Sequence, residues 1–280
     1  MVVAQEGRQI NLEELKKLEL SILSTVHEIC ESENFRYSLG GGTLLGAVRH
    51  QGFIPWDDDI DIMMPRPDYD AFIEFCLTHD TGLKVRSFKT DKSYTDLSAK
   101  LYLPNTVLED EFGKDDGEKI GVFIDIFPID GLANTYKKAK KVFNSTRFSR
   151  ELLVASGWKK FFKSKTHPWY YEPFRFALFV LSRFTNSSRI FAKVEKKYRN
   201  IDFNSVEYAA AVGGAYRVKE ILPQKLFTEF VLLPFEGREF KAIADYDTYL
   251  SSIYGEYMKL PPEEKRVSHH TFKAYYKDCK

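Results

Sequence analysis

The chain has 280 residues, 44% of them hydrophobic and 29% charged, with a formal net charge of +1. That length builds one large domain or a core with a substantial subdomain, and the near-zero charge excludes a protein that coats nucleic acid by bulk charge. Cys30, Cys76 and Cys279 are odd in number and far apart, which fits free thiols in a reducing compartment better than a disulfide framework or a zinc site.

The opening MVVAQEGRQINLEELKK has no apolar run ahead of a small-residue cleavage site, so no secretory signal is read there. Leu15, Leu18, Ile22, Val26 and Ile29 recur at helical spacing and predict an amphipathic helix over 11–33, with Asn11 as cap and Glu14 placed as in a capping box. Residues 37–39 read as a short strand running into Gly40, Gly41 and Gly42, and 43–48 as a short helix. A loop at 52–56 leads to a strand over 58–63, ended by Pro65 and Pro67, and then to a helix over 68–79. Strands follow at 83–88, 97–102 and 106–109, then a turn at Asp115-Asp116-Gly117 and a buried strand over 121–129 with Asp125 in its middle.

From about 134 to 200 the chain turns helical, aromatic and basic; between Trp158 and Asn200 eleven Lys/Arg stand against Glu172 and Glu195. Its apolar run FALFVL, 176–181, is too short to cross a bilayer. The last 80 residues read as α-rich, with Gly213-Gly214 as a hinge or a turn. The fold class is α/β (α+β): a mixed-sheet core over 1–133, and a helical subdomain plus C-terminal segment over 134–280 that completes the site.

The chemistry concentrates in GGGTLLGAVRHQGFIPWDDDIDI, residues 40–62. On a strand, Asp59 and Asp61 share a face while Ile60 and Ile62 enter the core. Such a pair suits a hard divalent cation, Mg²⁺ or Mn²⁺, and Asp125 would be a third acid if its strand lies alongside. A calcium loop fails because Ile62 and Asp68 occupy its obligatory glycine and glutamate positions. A P-loop fails because Ala47 follows Gly46 where lysine is needed, and the dinucleotide fingerprint fails on its glycine spacing. A phosphatase nucleophile should follow an apolar strand, whereas Pro55-Trp56 precede these acids. What survives is a glycine turn, a short helix, Asp-x-Asp and a distant third Asp. Glycines admit phosphate to the backbone and a helix N-terminus supplies N–H donors, which describes a phosphate-handling site.

LGGGTLLGAVRHQGFIPWDDDIDI (39–62), GVFIDIFPIDG (121–131) and YGEYMKLPPEEKR (254–266) resemble the LicD family of phosphocholine (phosphorylcholine) transferases, related to fukutin and fukutin-related protein, on the nucleotidyltransferase fold. The resemblance implies transfer of phosphocholine, or a related phospho-alcohol, from a CDP-activated donor such as CDP-choline to a sugar hydroxyl. The acceptor would be a cell-surface glycan or a lipid-linked teichoic-acid precursor, and CMP would leave. It implies metal ligation by Asp59 and Asp61, a role for Asp125 as third ligand or proton acceptor, and donor phosphates facing Gly41, Gly42 and Thr43. Asp58 should point away from the metal face, and Asp57 could reach the ion through water.

Arg49 has two readings, a phosphate contact or an ion pair with an aspartate. Lys100 is a further phosphate-contact candidate. His269, His270, Lys265 and Arg266 read either as a solvated tail or as donor or acceptor contacts. A choline head group calls for aromatic rings, and Trp56 is the first to test. The basic aromatic stretch 158–200 reads as an ordinary helical subdomain or as a peripheral contact at the inner face of the membrane of a cytoplasmic protein; no nucleic-acid module accompanies it. The competing functions are a nucleotidyltransferase that releases pyrophosphate, a metal-dependent glycosyltransferase, which has no use for the glycine turn, and a non-catalytic scaffold.

Overall fold

A computed structural model describes residues 6–110, 119–164, 168–266 and 272–277. Strand β1 (Glu6–Ile10) leads into helix α1 (Leu12–Glu33). The Asn11 side chain accepts the Glu14 N–H at 2.9 Å, but the Glu14 carboxylate turns to Arg8 and Tyr276, so half of the capping box forms. Ile22, Leu23 and Val26 are fully buried, each contributing about 1.5–3 kcal/mol of burial. Asn34, with φ 57°, stops the helix.

Next come β2 (Ser38–Leu39), α2 (Gly41–His50), β3 (Asp61–Pro65), α3 (Arg66–Thr78), β4 (Lys84–Arg86), β5 (Ala99–Tyr102), β6 (Thr106–Asp110) and the 11-residue β7 (Phe123–Ala133). The strand expected over 58–63 begins only at Asp61, and Pro67 lies in the first turn of α3, where a missing N–H is harmless. The main sheet runs β2-β3-β7-β5-β4. Among the described strands only β3 and β7 pair parallel; β2 with β3, β4 with β5 and β5 with β7 are antiparallel. Farther along, β7 also pairs with β8 (Tyr208–Ala211), which pairs with β9 (Leu222–Pro223).

Helices α4 (Tyr136–Asn144), α5 (Arg147–Ser156), α6 (Glu172–Arg183) and α7 (Ser187–Arg199) fill the stretch read as helical. Ala139, Phe143, Phe191, Val194 and Tyr198 bury against Leu132 and Val212 beside β7. Helix α5 packs on α7, and α6 packs on α5 through Leu178 against Leu152 and Ala155.

The last 80 residues are not α-rich. They hold β8, β9, the hairpin β10 (Phe230–Phe235) and β11 (Arg238–Ile243), and β12 (Phe272–Lys277), with α8 (Tyr246–Tyr254) as the α-helix among the described residues. Glu236 and Gly237, with φ 52° and 74°, form the two-residue turn that right-twisted hairpins favour, and FVLLPF and REFKAI pair across it. Strand β12 lies between β1 and β6. Gly213-Gly214 is a packed turn: a Cβ at Gly214 would stand 2.3 Å from Glu220 Oε1.

Phe203, Leu222, Phe227, Phe235, Phe240 and Leu250 share one buried core with Ile22, Leu39, Ile62 and Ile126, so the second half of the chain packs onto the sheet of the first. The class is α+β. Cys30 and Cys76 are buried free thiols, and burial pushes both up, Cys76 to about 12. Cys279 and the turn at 115–117 lie outside the described residues. No described helix is long and apolar enough to cross a membrane.

Candidate active site

Helix α2 starts on glycine because its first turn abuts the acids. Gly41 has φ +48°, and a Cβ there would stand 3.2 Å from Asp61 Oδ2; at Gly42 it would stand 2.7 Å from Asp57 Oδ2. The carboxylates of Asp57 and Asp61 therefore lie against the N-terminus of α2, where the helix dipole offsets negative charge. The Gly40 N–H donates to the Asp61 carbonyl at 2.9 Å, and the Asp61 N–H donates to Thr43 Oγ1 at 2.8 Å. Thr43, expected at the donor phosphates, is buried and fixes Asp61. Gly46 serves the loop: a Cβ there would meet the Gly52 carbonyl at 2.4 Å.

Asp59 sits in the loop before β3, so shared strand parity does not set its direction. Ile60 and Ile62 enter the core as expected. Asp58 is buried, and the field of Asp58 and Asp59 reaches Glu19 on α1. Burial first, and these acids next, push Glu19 up, and its Oε2 has no hydrogen-bond partner. Glu19 is a buried backing residue that the sequence did not single out.

Asp61 and Asp125 are register partners across the parallel pair β3–β7, and Lys100 is the partner of Asp125 across β5–β7. The three therefore form one row on one face of the sheet. Lys100 Nζ donates to both Asp125 oxygens, at 2.9 and 2.7 Å, and stands 3.7 Å from the Phe123 ring centroid. Ser98 Oγ adds a bond to Asp125 at 2.9 Å. The sequence expected a cation to offset Asp125; Lys100 and Ser98 already do part of that. Asp61 is only half-buried by surface area, but the protein around it desolvates its carboxyl. That burial, then Asp59 and Asp125, push it well above the usual carboxylate range, with Lys100 opposing.

Helix α8 closes one side. The Gly41 N–H points to the Tyr249 hydroxyl at 3.4 Å. Tyr216 and Tyr254 meet edge to face at 5.0 Å, and the charge of Asp61 reaches Tyr216, Tyr249 and Tyr254. Behind them the buried Glu220 accepts the Tyr216 N–H at 3.4 Å, and burial lifts its carboxyl to about 7. The sequence signal for this wall was only the tyrosine richness of 246–257. As pH rises from 4.5 to about 7, Glu220 ionises in the unfolded chain but not in the folded one, so folding loses stability across that window. Glu220→Gln is therefore expected to stabilise the protein at pH 8, by at most about 3 kcal/mol, and to change nothing at pH 4. Urea unfolding at the two pH values checks this; a destabilised variant at pH 8 would mean the carboxylate is held by a partner.

Arg49 pairs with no aspartate among the described residues. It donates to the Tyr257 carbonyl at 2.7 Å and to His50 Nε2 at 3.0 Å, tying the α2 end to the segment after α8. Burial, then the charge of Arg49, hold His50 below its usual range. The Trp56 ring already has a cation: the Arg266 guanidinium lies 5.6 Å from its centroid. Glu236, at the β10–β11 turn, accepts the Phe53 N–H at 3.0 Å and its N–H donates to the Gln51 carbonyl at 3.0 Å, pinning the start of the acidic loop. His269 and His270 lie outside the described residues, as does the side chain of Lys265.

Among the described residues, no three His, Cys, Asp or Glu side chains are gathered to hold a metal ion alone. The donor set still fits Mg²⁺ or Mn²⁺ held by one or two carboxylates, with water and phosphate completing the shell. Asp61 is a desolvated carboxyl in the field of Asp59, Asp125 and Asp57, the surplus of negative charge that a shared cation relieves.

The family described as LicD/FKTN/FKRP, nucleotidyltransferase domain, matches residues 34–181, which include Asp57, Asp59, Asp61 and Asp125. The lipopolysaccharide cholinephosphotransferase LicD of Haemophilus influenzae is 33% identical over 276 residues, covering 96% of this chain and 99% of that protein. Shorter matches are an uncharacterized protein of Rickettsia typhi, 44% identical over 62 residues (22% of this chain, 20% of that protein), and one of Rickettsia prowazekii, 42% over 78 residues (24% and 29%).

Proposed function

The chain belongs to the LicD family and is a transferase of that type; from that premise we propose that it moves phosphocholine from CDP-choline to a sugar hydroxyl of a cell-surface glycan, with release of CMP. The observation that carries this reading is the row Asp61–Asp125–Lys100 beneath the glycine N-terminus of α2. Phosphoryl transfer asks for positioning and charge stabilisation more than for covalent chemistry, and this row supplies both signs of charge on a rigid sheet.

Asp59 and Asp61 would hold Mg²⁺ or Mn²⁺, with Asp125 as third ligand or as acceptor of the hydroxyl proton. When bound, the ion would neutralise charge on the donor's two phosphates and on the departing CMP. Lys100 rests on Asp125, from which its ammonium can turn to a donor phosphate. The first-turn N–H groups of Gly42 and Thr43 lack intrahelical partners and lie at the end of α2 beside the acids. Tyr216 and Tyr254 are the better wall for a trimethylammonium head, because Trp56 already carries Arg266. The Glu220 carboxylate behind them would complement its charge. The acceptor is lipopolysaccharide-like by the name of the Haemophilus relative; a teichoic-acid precursor offers the same hydroxyl chemistry.

The test is CMP release with Mg²⁺ and the glycan acceptor from a panel of CDP-choline, CDP-ethanolamine, CDP-glycerol and CDP-ribitol. CDP-choline is expected to give the fastest release. Release from another donor alone would reassign the head group. Pyrophosphate from a nucleoside triphosphate, with no CMP from any of the four, would replace this reading by nucleotidyl transfer.

A further inference from the structure

Helix α6 carries the wrong residues on its outer side for a helix that faces water. Its inner side packs on α5, with Leu178 and Ser182 buried. The outer positions Pro173, Phe174, Phe176, Ala177, Val180 and Leu181 are all exposed and none is polar. Phe184, directly beyond the helix, and Trp169, just before it, are each 84% exposed. Exposed apolar residues scattered singly need no explanation, but a whole helix face flanked by aromatics marks an interaction surface.

The surrounding charge identifies what meets it. Residues 158–164 are strapped along α6: the Phe161 ring stands edge-on to Phe176 at 5.2 Å, and Arg175 lies 4.8 Å from the Trp158 ring while donating to the Phe162 carbonyl at 3.1 Å. This strap holds Lys159, Lys160 and Lys163, all exposed, beside the apolar face. Eleven Lys/Arg against two acids lie between 158 and 200 in a chain of net charge +1, so the rest of the molecule is net acidic. The strap's lysines put positive charge beside this exposed apolar helix, while the net-acidic remainder would be repelled by an anionic surface.

We propose that α6 and the strap beside it lie flat in the interface of an anionic phospholipid leaflet, with the phenylalanines at the acyl boundary and the lysines on lipid phosphates. A helix of 12 residues is about 18 Å long, which suits lying in the interface and not crossing it. Docking there would bring the site to an acceptor built on a lipid carrier.

The experiment is sedimentation of the full chain with vesicles of equimolar phosphatidylglycerol and phosphatidylcholine, or of phosphatidylcholine alone. Binding is expected to the anionic vesicles, weakened by salt, and little to the neutral ones. Phe174→Ser with Phe184→Ser should weaken partitioning by about tenfold or more at an unchanged melting temperature, because those rings are exposed. Lys159→Glu with Lys163→Glu should weaken binding to anionic vesicles only, and gives the same test should the serine variant not fold. No binding to anionic vesicles, or full binding by the variants, overturns the proposal. So does a dimer that the serine variant dissociates, which would show that the face covers a second copy of the chain. No donor or turnover enters the readout, so it stands apart from the reaction.

Discussion

Asp61→Asn is expected to abolish turnover while leaving the fold as stable as before, or more so. The carboxyl is pushed up by burial and by Asp59 and Asp125, so its ionised form subtracts from stability at neutral pH. Asparagine keeps the shape and removes that repulsion. What it removes with it is the charge that would anchor a cation against the donor phosphates, a loss of roughly 10²–10³ or more in rate. Asp59→Asn should lose comparable activity, since Asp59 is the largest charge acting on Asp61. Initial rates of CMP release and thermal melts on the same samples check both. Near-normal rates in both variants would remove the metal assignment. Lost activity with a collapsed melting temperature would instead make these acids structural.

The second large effect is on stability. Arg66, at the start of α3, donates to both oxygens of Asp130 on β7 at 2.7 and 2.9 Å, with side-chain exposures of 10% and 3%. Burial alone would push the guanidinium down, and Asp130 more than reverses this. Arg66→Met strands a carboxylate in the core and should cost about 3–5 kcal/mol in urea unfolding. Arg66→Met with Asp130→Leu should recover most of that loss, since the pair's attraction and its desolvation nearly cancel. A single variant within about 1 kcal/mol of the parent would mean that water reaches the pair.

The helical spacing from Leu15 to Ile29 located α1, and the apolar run around Asp125 located the strand that became the centre of the sheet. The adjacency of Asp61 and Asp125 was legible because a lone acid on a buried strand demands a partner. The identity of that partner was not: Lys100 joins Asp125 through strand register, which no local pattern carries. Arg66 and Asp130 escaped notice for the same reason, being ordinary charges 64 positions apart. The expectation of an α-rich end failed because β10 and β11 are made by a two-residue turn whose Glu236 has positive φ, an unusual choice that hides the hairpin. The glycines were legible as a close approach, but the nearest neighbours of Gly41 and Gly42 proved to be the carboxylates of Asp61 and Asp57.

The bonds that brace the acidic loop have a consequence for the order of events in synthesis. Phe53 to Glu236 spans 183 positions, and Gly41 to Tyr249 and Arg49 to Tyr257 each span 208. Contacts so far apart along the chain close late, because the entropy of closing such loops must be met first. The acids and the central strand leave the ribosome well before the residues that hold their loop in place. A nascent chain that has reached residue 181 thus carries Asp57, Asp59, Asp61 and Asp125 without their scaffold, and competence for the reaction waits for the hairpin and α8 to arrive.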